Sequence, residues 1–136
     1  MKIIDLEKTE KTPEIILDSS KKVFRISGNC LPENIRNLSR DVLDKLEAYY
    51  REQSAAAESD RNKSVFRVIF RLGYFNSASA KFIADVIILS ADYAKKGCNL
   101  KIYWYYDEDD HDMLEAGEEM SQLVSVPMEF VVVVKE

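Results

Sequence analysis

Asn76-Ser77-Ala78-Ser79 holds three side chains able to cap a helix start, directly after a run that reads as a strand. A hydroxyl at such a junction stands beside first-turn backbone N–H groups that have no partner within the helix. That position suits a regulatory phosphate or a bound anion, and it equally suits plain capping. Other residues of chemical interest are sparse. The one histidine, His111, sits in the acidic run Asp107–Asp112. It reads as a solvated residue of a helix's first turn, with a base or metal ligand as the sharper alternative. Asp107, Asp109, His111 and Glu118 fall at offsets 1, 3, 5 and 12 of a calcium loop, but Asp112 stands where that loop needs Gly, and a strand precedes the run. These acids more simply complement the dipole of the helix they open. The four glycines are scattered, so no phosphate-cradling loop is present. Cys30 and Cys98 lack a CxxC partner and read as reduced, packed residues. No catalytic set assembles, and neither a cofactor nor a metal is expected.

The elements that must position the Asn76–Ser79 turn follow from periodicity. Val65 to Phe75 is rich in β-branched and aromatic residues, with Phe66, Val68, Phe70, Leu72 and Tyr74 on one face at period two. After the turn, Phe82, Ile83, Val86, Ile87, Leu89 and Tyr93 mark an apolar helix that ends at Lys95-Lys96-Gly97. Upstream, Glu14–Asp18 and Val23–Ser27 read as a hairpin across Ser19–Lys22. Gly28 and Asn29 end its second strand. Lys2–Thr12 reads as a charged lead-in with a short apolar start. Ile35, Leu38, Val42, Leu46 and Tyr49 give an amphipathic helix, with Arg51–Lys63 as its frayed end plus a loop. Cys98–Tyr106 is a strand in which Leu100, Ile102, Trp104 and Tyr106 alternate with Lys101, Tyr103 and Tyr105. Tyr103, Trp104, Tyr105 and Tyr106 are too dense to be all main core, and they either pack under a second helix layer, the simpler reading, or face a partner. Met113, Leu114, Met120, Leu123 and Val124 support a third helix that Pro127 ends, and Met128–Val134 is a last strand.

The order is β-β-α-β-α-β-α-β, which predicts one α/β domain over residues 1–136, with a mixed sheet, an N-terminal hairpin at its edge and helices packed on it. With 136 residues, 46% apolar, the chain can bury a sizeable core. A net charge of −5 without a basic cluster argues against nucleic acid. No run approaches a membrane span or a signal peptide, so the expected location is cytoplasmic.

Four stretches resemble the SiaC family of bacterial regulatory phosphoproteins: Thr12-Pro13-Glu14-Ile15; Ile26-Ser27-Gly28 with Leu31-Pro32-Glu33-Asn34; Tyr74-Phe75-Asn76-Ser77-Ala78-Ser79-Ala80-Lys81; and Trp104–Asp110 with Met113–Glu118. The last two are the specific ones. The resemblance implies a STAS-like fold and non-enzymatic partner switching. It implies a serine/threonine protein kinase, a metal-dependent serine/threonine phosphatase, and a diguanylate cyclase activated by the unphosphorylated form, raising cyclic di-GMP and favouring biofilm. The family's acceptor hydroxyl follows the Asn of a Y-[FL]-N motif, which places it at Ser77, with Ser79 as its rival. Tyr74, Phe75, Asn76, Ser79 and Lys81 would then flank a docking surface. Trp104, Tyr105, Tyr106, Asp107 and Asp109 would form its second part, on the same rim of the sheet, because strand C-termini cluster there. The alternatives are an anti-sigma-factor antagonist of STAS type and a small enzyme using His111.

Overall fold

Strands and helices alternate after an antiparallel start in the computed structural model, which describes residues 1–55 and 64–134. In chain order the elements are β1 (Lys2–Leu6), β2 (Glu14–Asp18), β3 (Val23–Cys30), α1 (Ile35–Ala55), β4 (Phe66–Phe75), α2 (Ser77–Lys95), β5 (Leu100–Asp107), α3 (His111–Ser121) and β6 (Met128–Val133). The described strands form one six-stranded sheet in sequential order, β1 to β6. β1, β2 and β3 pair antiparallel; β3 through β6 pair parallel. This is the predicted α/β architecture with one strand added.

That added strand is β1. The charges of Lys2 and Asp5 disguise it, but an edge strand tolerates charged side chains. Its Ile4 is buried opposite Leu17 of β2, so β1 rather than the hairpin takes the sheet edge. The hairpin itself is as expected. Its turn is held by Asp18 Oδ1, which accepts hydrogen bonds from the N–H groups of Ser20 (2.9 Å) and Lys21 (3.1 Å). These bonds, Lys21's foremost, hold the Asp18 carboxyl below its ordinary pKa. β3 runs on through Gly28 (φ 101°) to Cys30 instead of stopping at Gly28. α1 reaches Ala55, further than the fraying expected from Arg51; residues 56–63 of the expected loop lie outside the described residues. α3 ends at Ser121, leaving Leu123 outside it and 54% exposed.

Three successive crossovers each advance one strand in the same direction, which places helices of one hand on one face of the sheet. Burial agrees. Phe66, Val68, Phe70 and Leu72 are buried beneath the helices, while Arg67 and Arg71 are exposed on the open face. Within this core Tyr50 of α1 meets Ser90 of α2 through a buried hydroxyl pair at 2.7 Å, tying the two helices together. Burial pushes the Tyr50 phenol well above its ordinary range.

Two local features shape the end of β4. First, β3 advances from Gly28 to Cys30 while β4 advances from Leu72 to Phe75, so β4 carries one extra residue. This bulge inverts the alternation. Tyr74, expected on the core face, turns out and is 61% exposed, and Phe75 packs edge-on against Trp104 with centroids 6.4 Å apart. Second, Trp104 is fully buried. Its ring lies 5.6 Å from that of Phe70, and its Nε1–H donates to the Met113 carbonyl of α3 at 2.9 Å. Trp104 is therefore core, as burial of the aromatic run implies, and not part of the contact surface in which the resemblance placed it.

Gly117 of α3 lies over that indole; a Cβ there would come within 2.5 Å of Trp104 Cδ1 and Nε1. An alanine in a helix interior normally gains about 0.5–1 kcal/mol over glycine. Here the clash reverses the sign, and Gly117→Ala is expected to destabilise by about 1–3 kcal/mol in urea unfolding. A stabilised variant would show that the indole yields without cost.

Candidate functional site

β4 ends at Phe75 and α2 begins at Ser77, so a single residue makes the reversal. Asn76 takes an extended conformation (φ −92°, ψ 177°), and its Oδ1 accepts from the Ser79 N–H at 2.9 Å. The Asn76 carbonyl accepts from Ala80 N–H. Two first-turn donors are thereby used; the amides of Ser77 and Ala78 have no partner within the helix. No acidic side chain occupies the first turn of α2, so the positive end of its dipole meets no carboxylate there. Ser77 stands exposed at the first helical position.

Ser79 differs in kind from Ser77. It is fully buried, and its Oγ makes no hydrogen bond of ordinary geometry. The Cys30 thiol is its polar neighbour. Burial pushes that thiol's pKa up, and the weak interaction with Ser79 partly offsets the rise. A kinase cannot reach the Ser79 hydroxyl in this conformation, nor can a docked partner. Its expected place on a contact surface is corrected: it belongs to the interior beneath the turn.

Two open grooves flank the reversal. One is lined by Gly73, Tyr74, Phe75, Asp110, Asp112, Met113 and Ala116. It joins the end of β4 to the start of α3 and has an apolar floor and an acidic side. The other is lined by Ile35, Arg36 and Ser39 of α1 and by Ser77, Ala78, Lys81, Phe82 and Asp85 of α2. Lys81 Nζ meets Asp85 Oδ2 there at 2.9 Å, an exposed pair one helical turn apart. The structure thus brings Tyr74 and Phe75 to the acidic run, and Ser77 and Lys81 to the first turn of α1. Asp107 and Asp109 are exposed beyond the end of β5, and Tyr105 and Tyr106 are half-buried. His111 is exposed at the first position of α3, behind Asp110, which caps Met113 N–H at 3.0 Å. Among the described residues no group of three or more His, Cys, Asp or Glu side chains could hold a metal ion. None of their helices is long and apolar enough to cross a membrane.

A family model described as SiaC family regulatory phosphoprotein matches residues 6–133. The chain belongs to the SiaC family. An uncharacterized curated protein of Pseudomonas aeruginosa strain UCBPP-PA14 is 27% identical over 119 residues, spanning 88% of this chain and 87% of that one. The fold is that of SiaC structures from Pseudomonas aeruginosa. The crystal structure of apo-SiaC aligns at a TM-score of 0.72 and 22% identity over 95% of this chain and 96% of that one. A chain from the crystal structure of the diguanylate cyclase SiaD in complex with its activator SiaC aligns at 0.74 and 21% identity, over 97% and 99%.

Within this SiaC-family domain, sequence reasoning missed Arg36, which only the packing of α1 beside α2 brings near Ser77. It also missed Asp110 and Met113 as neighbours of Tyr74, since the β4 bulge leaves no periodic signal. Opposite stability changes are expected at the two ends of the cap. Asn76→Ala removes the acceptor of Ser79 N–H and should cost about 1 kcal/mol. Ser79→Ala removes a buried hydroxyl without a partner and should gain about 0.5–1 kcal/mol. Urea midpoints measure both, and a loss in Ser79→Ala would mean the Cys30 contact is a true hydrogen bond.

Proposed function

We propose that this protein is a non-catalytic partner switch controlled by reversible phosphorylation of Ser77. A serine/threonine protein kinase adds the phosphate and a metal-dependent phosphatase removes it. The unphosphorylated form docks on a diguanylate cyclase and activates it, in line with the description of the Pseudomonas aeruginosa SiaC as the activator of SiaD. The observation that carries this reading is the exposed Ser77 hydroxyl at the first position of α2, three residues after the exposed Tyr74, in a chain of a regulatory phosphoprotein family.

The physics of the switch is local. A phosphate adds about −1.5 to −2 charges and three acceptor oxygens at pH 7. At a helix N-terminus those oxygens meet free amides and the positive dipole end, so the domain keeps its fold. A partner surface laid over Tyr74, Phe75 and Ser77 fares differently. A dianion at its centre must be desolvated, and an apolar or acidic partner surface cannot compensate for that.

Kinase labelling and cyclase affinity test the proposal together. Label is expected on the wild type and on Ser79→Ala and absent from Ser77→Ala. Ser77→Ala should hold the cyclase as wild type does, and Ser77→Asp should bind at least about tenfold more weakly, or about 1.4 kcal/mol. Label confined to residues outside 76–79, or equal affinity for the phosphorylated and unphosphorylated forms, overturns it.

A further inference from the structure

We infer that Arg36, from the first turn of α1, is the residue that receives the phosphate on Ser77 and so fastens α1 to α2 in the phosphorylated state. The inference rests on the assignment of Ser77 as the acceptor. Ser77 and Arg36 come from helices far apart in sequence, yet they line one groove. That groove holds two cations, Arg36 and Lys81, and one carboxylate, Asp85. Lys81 already faces Asp85 at 2.9 Å, so it approaches a phosphate only by leaving a carboxylate. Arg36 is exposed, and no carboxylate among the described residues pairs with it. Its planar guanidinium can grip two phosphate oxygens at once, which an ammonium cannot.

The backbone adds to the same focus. α1 starts beside the groove, with Asn34 Oδ1 accepting from Asn37 N–H at 3.2 Å. Like α2, it has no acidic side chain in its first turn. Two positive helix ends therefore share one hollow with Arg36, and within it Asp85 alone opposes a dianion. Seated there, the phosphate covers the floor of Ile35, Ala78 and Phe82. Phosphorylation thus closes this groove to a partner as well as placing charge on the rim.

The test uses the full chain with phosphoserine incorporated at position 77 during translation, so that no kinase is needed. Phosphorus NMR then follows the second ionisation of the phosphate. An arginine contact favours the dianion and lowers that pKa from its usual value near 6. In the wild type it is expected to lie about half a unit or more below free phosphoserine, and Arg36→Gln should recover most of the difference. Arg40→Gln, one turn further along α1 and outside the groove lining, should leave it unchanged. Hydrogen exchange of the first-turn amides of α1 should slow on phosphorylation in the wild type and not in Arg36→Gln. A titration unaltered by Arg36→Gln, or one altered equally by Arg40→Gln, overturns the clamp, the latter by reducing it to general charge. Cyclase affinity is read separately on the same samples. An Arg36-dependent titration with undiminished cyclase binding would refute the partner switch and leave the clamp standing.

Discussion

One extra residue in β4, between Leu72 and Phe75, decides what the rim of this sheet presents. Without it the period-two alternation would carry Tyr74 into the core and send Phe75 outward. With it, Phe75 turns down onto Trp104, and Tyr74 stands in solvent one residue before the cap. The bulge is held from both sides. On β3, Asn29 crowds Gly73, where a Cβ would lie 2.4 Å from Asn29 Oδ1. On β5, Trp104 fixes Phe75 and at the same time receives α3 through Gly117 and the Met113 carbonyl. One buried indole therefore sets the position of the β4 end, the start of α3 and the groove between them.

How far the fold was legible follows from which signals are periodic. The central strand and α2 are legible because each repeats at 2.0 or 3.6 residues over a sufficient length, and the hairpin because the short polar link Ser19–Lys22 joins two apolar runs. β1 escaped notice because an edge strand of five residues needs only one buried side chain, Ile4, and can carry charges beside it. The aromatic run of β5 showed the opposite failure. Alternation groups Trp104 with Leu100 and Ile102, all three of them core, and puts Tyr103 and Tyr105 on the open face, where they lie half-buried; the expectation that fails is the place of Trp104 on a contact surface. The site divides the same way. The capped helix start was readable, since Asn-Ser after a strand is a local signal of one, but that signal does not choose between Ser77 and Ser79, and only the family resemblance singles out Ser77. The burial of Ser79 two residues later was not readable, because it depends on Cys30 and on the depth at which α2 sits. Arg36 was not readable at all, as nothing in its own neighbourhood distinguishes it from Arg40.

The two serines of the turn differ in what the scaffold asks of them. Asn76 serves the Ser79 amide, so the helix start is secured without help from the Ser77 side chain. A hydroxyl with no structural task can gain charge at little cost to the scaffold. Ser79 has the reverse character: inaccessible, packed against a thiol and lacking a hydrogen-bond partner of its own, it can neither be modified nor signal.

The grooves on either side of Tyr74 and Phe75 have opposite electrostatic character, and this bears on how a local charge can govern a whole interface. The α3 side carries Asp110 and Asp112; the α1 side carries Arg36 and Lys81 against Asp85. A partner spanning the rim has to match a negative patch and a positive one in fixed order, which specifies its orientation as well as its identity. In the proposed switch, phosphate on Ser77 would alter the positive patch alone. The partner's contacts with the acidic groove would remain available, but they would no longer come with a favourable contact next door, and the pairing that set the register would be lost. Discrimination of this kind asks for no rearrangement of the sheet or its helices. It requires only that the two patches be held at constant separation, which is what the buried indole, the bulge and the Asn76 cap together provide.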